Sequence, residues 1–429
     1  MHPWKENTAV MKIKKSLVSL SLVVICSCAL IAGALCVNTA QAETVKEVKI
    51  AVVYPLSGAL SRNGNLTVQG VKAAMQWIND NGGIKSLGGA KLVPVIADSG
   101  STVEGAASAM ARLTNAPDIV MACGCWASSL TLGATEITER LGIPHFSISS
   151  ADTLHERGFK WGFYVSPPMS VYGDLGLSNV IKLAKDAGRE AKTAMIVGDN
   201  GASSKAFYES AKKYFKKVGI KLLGEETWPT GGLTDATPVM QKIKSLNPDI
   251  VPFSSLAISE TQMCMMKRQE LGVKSVFMYS GGYGADPSFR QIGGEFLEGN
   301  VCYAAFFPHK KMPVDWIERS LAQCKKEYSD EPWVGQELGF AWTMVPIMAE
   351  ILEKAGTTDH ETLRKVGRQL QLENVMATRA LAKQGIAFDE NGRIAKDYQN
   401  ILVIQWQGGV PVTVYPPELA VAKPLWDIN

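Results

Sequence analysis

The stretch Met121 to Asp152, MACGCWASSLTLGATEITERLGIPHFSISSAD, packs two strand-to-loop junctions into one strand-helix-strand unit. An apolar strand, IVMACG, runs into Trp126, Ala127, Ser128 and Ser129; a helix follows, and the strand PHFSISS ends in Ser149 and Ser150. In an open α/β sheet the carboxyl ends of parallel strands open on one crevice, where ligands bind. Both serine clusters are therefore expected to face the same hole.

The same grammar runs along the chain. VKIAVVYPL is a short β-branched run without alternation, as expected of a strand buried on both faces. A loop from Ser57 to Gly64 follows, then a helix with Val68, Val71, Met75 and Ile78 at helical spacing, ended by Asn81-Gly82-Gly83. KLVPVIADS reads as a strand and TVEGAASAMARLTN as a helix. Such alternation predicts a parallel sheet with right-handed crossovers. Two prolines in FYVSPP (163–168) interrupt it, a first crossing between domains, and it restarts with TAMIVGDN, a helix from Ser203 to Val218, KLLGEETWP, a helix from Thr237 to Leu246, DIVPFSSL, a helix from Ile258 to Leu271, and VFMYSGGY. NVCYAAFFP is a further strand, helices are expected over Trp316–Tyr328 and Gln336–Lys354, and Trp342, Val345, Met348, Ala349 and Leu352 on the latter form a packing face. In the tail, turns at Asp389-Glu390-Asn391-Gly392 and Gln407-Gly408-Gly409 flank ILVIQW and predict antiparallel hairpins closing a sheet edge.

A chain of 429 residues is too long for one ordinary core, so roughly two domains are expected. Net charge is only +3, with basic and acidic residues interspersed and no basic stripe, which argues against a nucleic-acid partner. Lys12, Lys14 and Lys15 precede an apolar run from Leu17 to Val37, and Thr39-Ala40-Gln41-Ala42 supplies small residues for cleavage after Ala42. This predicts a secretory signal over residues 1–42. The alternative is an uncleaved anchor, since the run approaches the roughly 20 residues that span a bilayer. Beyond Ala42 stand Cys123, Cys125, Cys264, Cys302 and Cys324, an odd number that leaves at least one thiol unpaired, with Cys302–Cys324 a candidate bridge.

Catalytic signatures are missing. No G-x-S-x-G elbow occurs, and neither the dinucleotide nor the P-loop glycine pattern is present. None of the histidines, His2, His145, His155, His309 and His360, stands in a recognisable nucleophile setting. No enzyme activity, metal or cofactor is expected. What recurs is a strand ending in neutral polar residues: Ser57; Ser128 and Ser129; Ser149 and Ser150; Asn200 with Ser203 and Ser204; Ser254 and Ser255; and Ser280 to Tyr283. Each alone is ordinary turn or cap chemistry. Repeated at one topological position, hydroxyls, amides and backbone N–H groups suit hydrogen bonding of a small polar solute. Trp126 beside the crevice either packs in the core or covers an apolar part of that solute.

In KIAVVYPLSGALSRNG, the INDNGGI helix end, the ASSLTLGA turn, SSADTLHERGF and the FDENG hairpin, the chain resembles the type I periplasmic solute-binding proteins of branched-chain amino acid ABC transporters. The resemblance implies an α/β fold of two Rossmann-like lobes with parallel-sheet cores, joined by three crossover hinge strands. Lobe 1 would comprise residues 43–168 and 301–384, lobe 2 residues 169–300 and 385–429, with hinges near Pro167, Gly299 and the tail. It also implies a monomer in the periplasm that traps a solute between closing lobes and delivers it to ABC permease subunits in the inner membrane. The rival function is a sensory or regulatory module for an amide or aromatic acid.

By that resemblance, Ser128 is the hydroxyl and N–H donor to a ligand carboxylate, flanked by Trp126 and Ala127, and Ser150, beside Ser149, helps hold the head of the ligand. Asn63 stands where a shielding aromatic is common. Across the cleft Asn200, Ser203, Ser255, Gly281 and Tyr283 complete the expected site. Ser203 replaces a tyrosine and Gly281 replaces the glutamate that pairs with an α-ammonium. A buried ammonium left without a carboxylate partner costs on the order of several kcal/mol. The expected ligand is therefore a small polar solute, an amino acid or other carboxylate, which Trp126 and Tyr283 would let be aromatic, with Asp152 or Asp286 the alternative source of an acid.

Overall fold

In the first half of the chain, runs of β-branched residues alternate with helices and build a sheet of order β2-β1-β3-β4-β5, all pairs parallel. Its elements are β1 (Glu47–Tyr54), α1 (Ser61–Asp80), β2 (Lys91–Asp98), α2 (Val103–Thr114), β3 (Ile119–Gly124), α3 (Ser128–Leu141), β4 (His145–Ser147) and β5 (Gly162–Tyr164). The architecture is taken from a computed structural model that describes residues 45–292, 297–312, 322, 332–373, 375, 378, 381 and 383–426, without the side chains of 282, 283, 291 and 292. The expected signal segment, the helix expected over 316–328 and Cys324 lie outside the described residues.

Central strands β1 and β3 are buried almost along their length, which is why their sequences show no alternation. Thr102 caps α2 by accepting from the Gly105 N–H at 3.0 Å. Helix α1 begins at Ser61, four residues earlier than the sequence pattern suggests, so Asn63 stands in its first turn and not in a loop.

Past Pro167-Pro168 the chain enters α4 (Leu177–Asp186), β6 (Thr193–Asp199), α5 (Ala202–Val218), β7 (Lys221–Trp228), α6 (Thr237–Leu246), β8 (Ile250–Ser254), α7 (Ile258–Glu270), β9 (Val276–Ser280) and β10 (Val301–Ala304). After α8 (Gln336–Ala355), α9 (His360–Gln369) and a small β11–β12 ribbon (Gln371–Glu373, Gly385–Ala387), β13 (Leu402–Gln407) and β14 (Val410–Tyr415) return to this second sheet. Its order is β14-β13-β10-β9-β8-β6-β7, parallel from β10 to β7 and antiparallel at β13 and β14. The Gly408-Gly409 turn, both residues at positive φ, makes the β13–β14 hairpin that closes the edge. By contrast Asp389–Gly392 makes only a turn between the bridged residues Phe388 and Ile394.

Two parallel-sheet lobes are thus present, and the chain passes between them after β5, after β10 and before β13. Two boundaries shift: Val301–Ala304, grouped with lobe 1 on sequence, is the strand that links β9 to β13 in the second sheet, because its apolar run pairs on both edges, and Gly385–Ala387, grouped with lobe 2, pairs with β11, while the Gly392 carbonyl accepts from the Tyr164 N–H of β5. Helix α8 packs on α1, where Gly70 leaves room for Ala341; a Cβ there would come within 2.7 Å of the Ala341 Cβ. Although one face of α8 was expected to pack, the helix is buried continuously from Gln336 to Ala349. Cys123, Cys125, Cys264 and Cys302 are buried free thiols. Among the described residues, no helix is long and apolar enough to cross a membrane and no cluster of His, Cys, Asp and Glu suits a metal ion.

Candidate functional site

The turn leaving β3 is shaped by backbone demands. Gly124 has φ 153°, and a Cβ on it would lie 2.2 Å from the Val53 carbonyl oxygen of the neighbouring strand, so only glycine fits. A cis peptide follows, and Trp126 takes the left-handed φ of 70°. The Thr131 hydroxyl oxygen accepts from the Cys125 N–H at 2.9 Å, closing the turn onto the first turns of α3. Ser128 then begins α3 with its side chain against the β4 loop, its Oγ accepting from Ser150 N (3.2 Å) and Ala151 N (3.0 Å). Because Oγ is used there as an acceptor, its proton remains to be donated. The first amides of a helix have no carbonyl partner inside the helix, and its dipole favours an anion at that end.

The opposite wall repeats the device. At the end of β6 the buried Asp199 carboxylate accepts from Gly201 N (2.9 Å) and Leu256 N (2.6 Å), tying the β6 and β8 loops together. Burial pushes its pKa up. Helix α5 starts at Ala202, and Ser203 in its first turn is 6% exposed with no partner for its Oγ among the described residues. Ser280 Oγ, at the end of β9, is likewise buried and unpartnered.

These ends meet around a cavity of about 40 Å³. Trp126, Ala127, Ser128 and Ser150 line it from the first lobe, and Ser203, Leu256, Ser280 and Gly281 from the second. Ser166, Met169 and Tyr172, just past β5, with Gln336 and Phe340 of α8, complete the wall together with Ile148. Tyr172 is held by a 3.2 Å contact to Ser166 Oγ and accepts from the Ala305 N–H; burial pushes its hydroxyl up to about 12, so it stays neutral. Among the described residues no charged side chain lines the cavity. Its polarity comes from hydroxyls, one amide and the amino ends of α3, α5 and α8. A larger cavity, about 250 Å³, lies at the amino ends of β8 and β9 around Val180, Asn247 and Trp426, and gathers none of the expected residues.

Six of the expected residues therefore come together: Trp126, Ala127, Ser128, Ser150, Ser203 and Gly281. Four do not line the cavity. Ser149 is a brace, its hydroxyl donating to the Trp126 carbonyl at 2.8 Å and lying 2.7 Å from Thr131 Oγ1. Ser255 donates to Glu260 Oε2 at 2.6 Å. Asn63, drawn into α1, donates to Glu337 at 3.4 Å, and Asn200 is exposed on the β6 loop with its N–H on the Trp228 carbonyl. Tyr283 belongs to the short turn Gly282–Ala285, and its side chain lies outside the described residues. Of the alternative acids, Asp152 accepts from the Ser170 N–H and hydroxyl, and Asp286 pairs with Arg62. Sequence reasoning missed Ser166, Met169 and Tyr172, whose only signal was the double proline of the crossing, and Gln336 with Phe340, hidden in an otherwise apolar helix. A polar Gln at the head of that helix was the available hint.

The pattern of the family described as "Periplasmic binding protein" matches residues 47–409. Over 421 residues the chain is 24% identical to the Leu/Ile/Val-binding protein homolog 7 of Brucella suis, covering 96% of this chain and 98% of that one. In structure it is similar to the leucine-binding protein LivK of Thermotoga maritima, with TM-score 0.72 and 22% identity over 86% of this chain and 99% of that one. It is also similar to a solute-binding protein of an ABC transporter from R. palustris in complex with benzoate, with TM-score 0.71 and 16% identity over 88% of this chain and 98% of that one. With the two sheets, the cleft between their strand ends and the match over residues 47–409 together, the chain belongs to the periplasmic binding protein family.

Proposed function

We propose that the protein captures a small carboxylate lacking an α-ammonium between its closing lobes and hands it to the permease subunits of an ABC importer. One observation carries this: the cavity is flanked by the amino ends of α3 and α5 and, among the described residues, bears no acidic side chain. Helix amino ends and serine hydroxyls favour a carboxylate. An ammonium in the same space would find no anionic partner among the described lining residues. The Trp126 indole, with Ile148, Met169 and Phe340, suits an apolar or aromatic body. Benzoate in the R. palustris protein and isoleucine in the LivJ protein of Streptococcus pneumoniae are two ligand chemistries bound by proteins of this fold. Residues 1–42 act as the secretory signal in this reading, placing the protein in the periplasm as a monomer.

A thermal-shift screen of the chain from Glu43 tests the proposal with benzoate, aliphatic carboxylates, benzamide, leucine, isoleucine and valine. A ligand that binds the native state raises Tm by mass action. A shift with amine-free carboxylates supports the proposal. A shift only with leucine, isoleucine or valine overturns the choice of ligand, and a shift only with benzamide replaces the carboxylate by a neutral amide.

A further inference from the structure

A buried cluster beside the cleft joins the two lobes. Arg62 and Asn63 occupy the first turn of α1, on the first lobe; Glu337 occupies the first turn of α8, which packs on α1; Asp286 follows β9 of the second lobe. Arg62 Nε donates to Asp286 Oδ1 at 2.9 Å, with the Asp286 side chain fully buried and that of Arg62 34% exposed. The Ser288 N–H donates to the same oxygen at 2.8 Å. Asp286 Oδ2 is buried with no partner among the described residues. Glu337 is 2% exposed, and Asn63 Nδ2 lies 3.4 Å from its Oε1.

Asp286 thus pairs directly with the Arg62 guanidinium, and Glu337, buried and reached by the adjacent Asn63, stands within range of both charges. Were both ionised, Arg62, Asp286 and Glu337 together would carry a net negative charge, a costly arrangement for buried carboxyls at low dielectric. A proton on Glu337 removes the excess charge. We propose that Arg62, Asp286 and Glu337 form a proton-dependent clasp, so that closing the lobes, and with it solute capture, takes up a proton.

The groups acting on Glu337 give the direction. Burial first, and the charge of Asp286 second, push its carboxyl up to about 7, while the Asn63 hydrogen bond and the Arg62 charge oppose this. When the lobes part, Asp286 leaves with the second one and Glu337 loses that neighbour and part of its burial, so its affinity for a proton falls. The closed form therefore binds more protons than the open form. Closure is favoured as pH drops through about 7 and weakens above it.

This proposal rests on the lobe closure in the reading above, but it is tested without a solute, so a failure to bind carboxylates leaves the test readable. Small-angle scattering of the ligand-free chain from Glu43 is recorded at pH 6 and pH 8, alongside Glu337→Gln, with circular dichroism to confirm folding. The wild type is expected to show a smaller radius of gyration at pH 6, from a several-fold rise in the closed-to-open ratio. Glu337→Gln, a neutral stand-in for the protonated acid, is expected to hold the smaller radius at both pH values. An equal wild-type radius at both pH values overturns the clasp, even where the variant does not fold, and so does a folded variant that keeps the wild-type dependence on pH.

Discussion

Ser149 donates its hydroxyl to the backbone carbonyl of Trp126 at 2.8 Å, joining the end of the β4 loop to the turn that leaves β3. Trp126 is held at a left-handed φ of 70°, and this bond helps keep it there. Ser149→Ala leaves a buried carbonyl and Thr131 Oγ1 each short of a partner. A loss of about 1 to 3 kcal/mol of stability is expected, read as a lower urea midpoint with unchanged m-value. An unchanged midpoint would show that water replaces the hydroxyl.

Ser203 poses the opposite case, because its buried Oγ has no partner to lose. Ser203→Ala is expected to leave stability within about 0.5 kcal/mol of the wild type and to weaken binding of a carboxylate found by thermal shift by roughly 10-fold to 100-fold, as for one lost hydrogen bond to a charged group. Isothermal titration alongside urea unfolding separates the two effects. Full affinity in the variant would remove Ser203 from the site.

Ser128, Ser149, Ser203 and Ser255 look alike in the sequence, each at a strand-to-helix junction, and the topology they announce is the one observed. Which of them faces the cavity was not legible, because that depends on which partner lies nearest. Glu260, five residues along the chain, takes the Ser255 hydroxyl, and Trp126 takes that of Ser149. Asn63 was misplaced for a different reason: helix α1 starts at Ser61 without a capping side chain, so no local signal marks its first turn. Gln336 and Phe340 reach the cleft only because α8 packs on α1, a contact between segments more than 250 residues apart that no local pattern encodes.

Gly124 makes a sharper demand on its neighbour than any of the serines. A methyl group there would meet the Val53 carbonyl at 2.2 Å, between two central strands that have no space to part. Gly124→Ala is expected to cost on the order of 3 kcal/mol or more. Trp126 lies two residues on, so the loss of stability should come with disturbed indole fluorescence in whatever fraction still folds. A variant of wild-type midpoint would mean the β1–β3 edge is looser than its packing indicates.

The response of folding to pH should carry opposed contributions. His145 is wholly buried between the Gly124 carbonyl, 3.0 Å from Nε2, and Thr138 Oγ1, 3.2 Å from Nδ1, and burial lowers its pKa from 6.5 to about 4. Burial likewise lowers His155 to about 3. Both are neutral in the fold, so below pH 6.5 the unfolded chain takes up protons that the native chain refuses, and stability falls with pH at about 1.4 kcal/mol per unit for each group. Glu337 works the other way: its folded value of about 7 lies above the unfolded 4.5, so between those limits the native state binds the extra proton and gains stability as pH falls. Two histidines against one glutamate leave a net decline from pH 6 to pH 5. Urea unfolding across that interval should show a shallower decline in His145→Gln and a steeper one in Glu337→Gln, because each substitution deletes one side of the balance. Parallel slopes in all three proteins would mean that neither group titrates differently on unfolding.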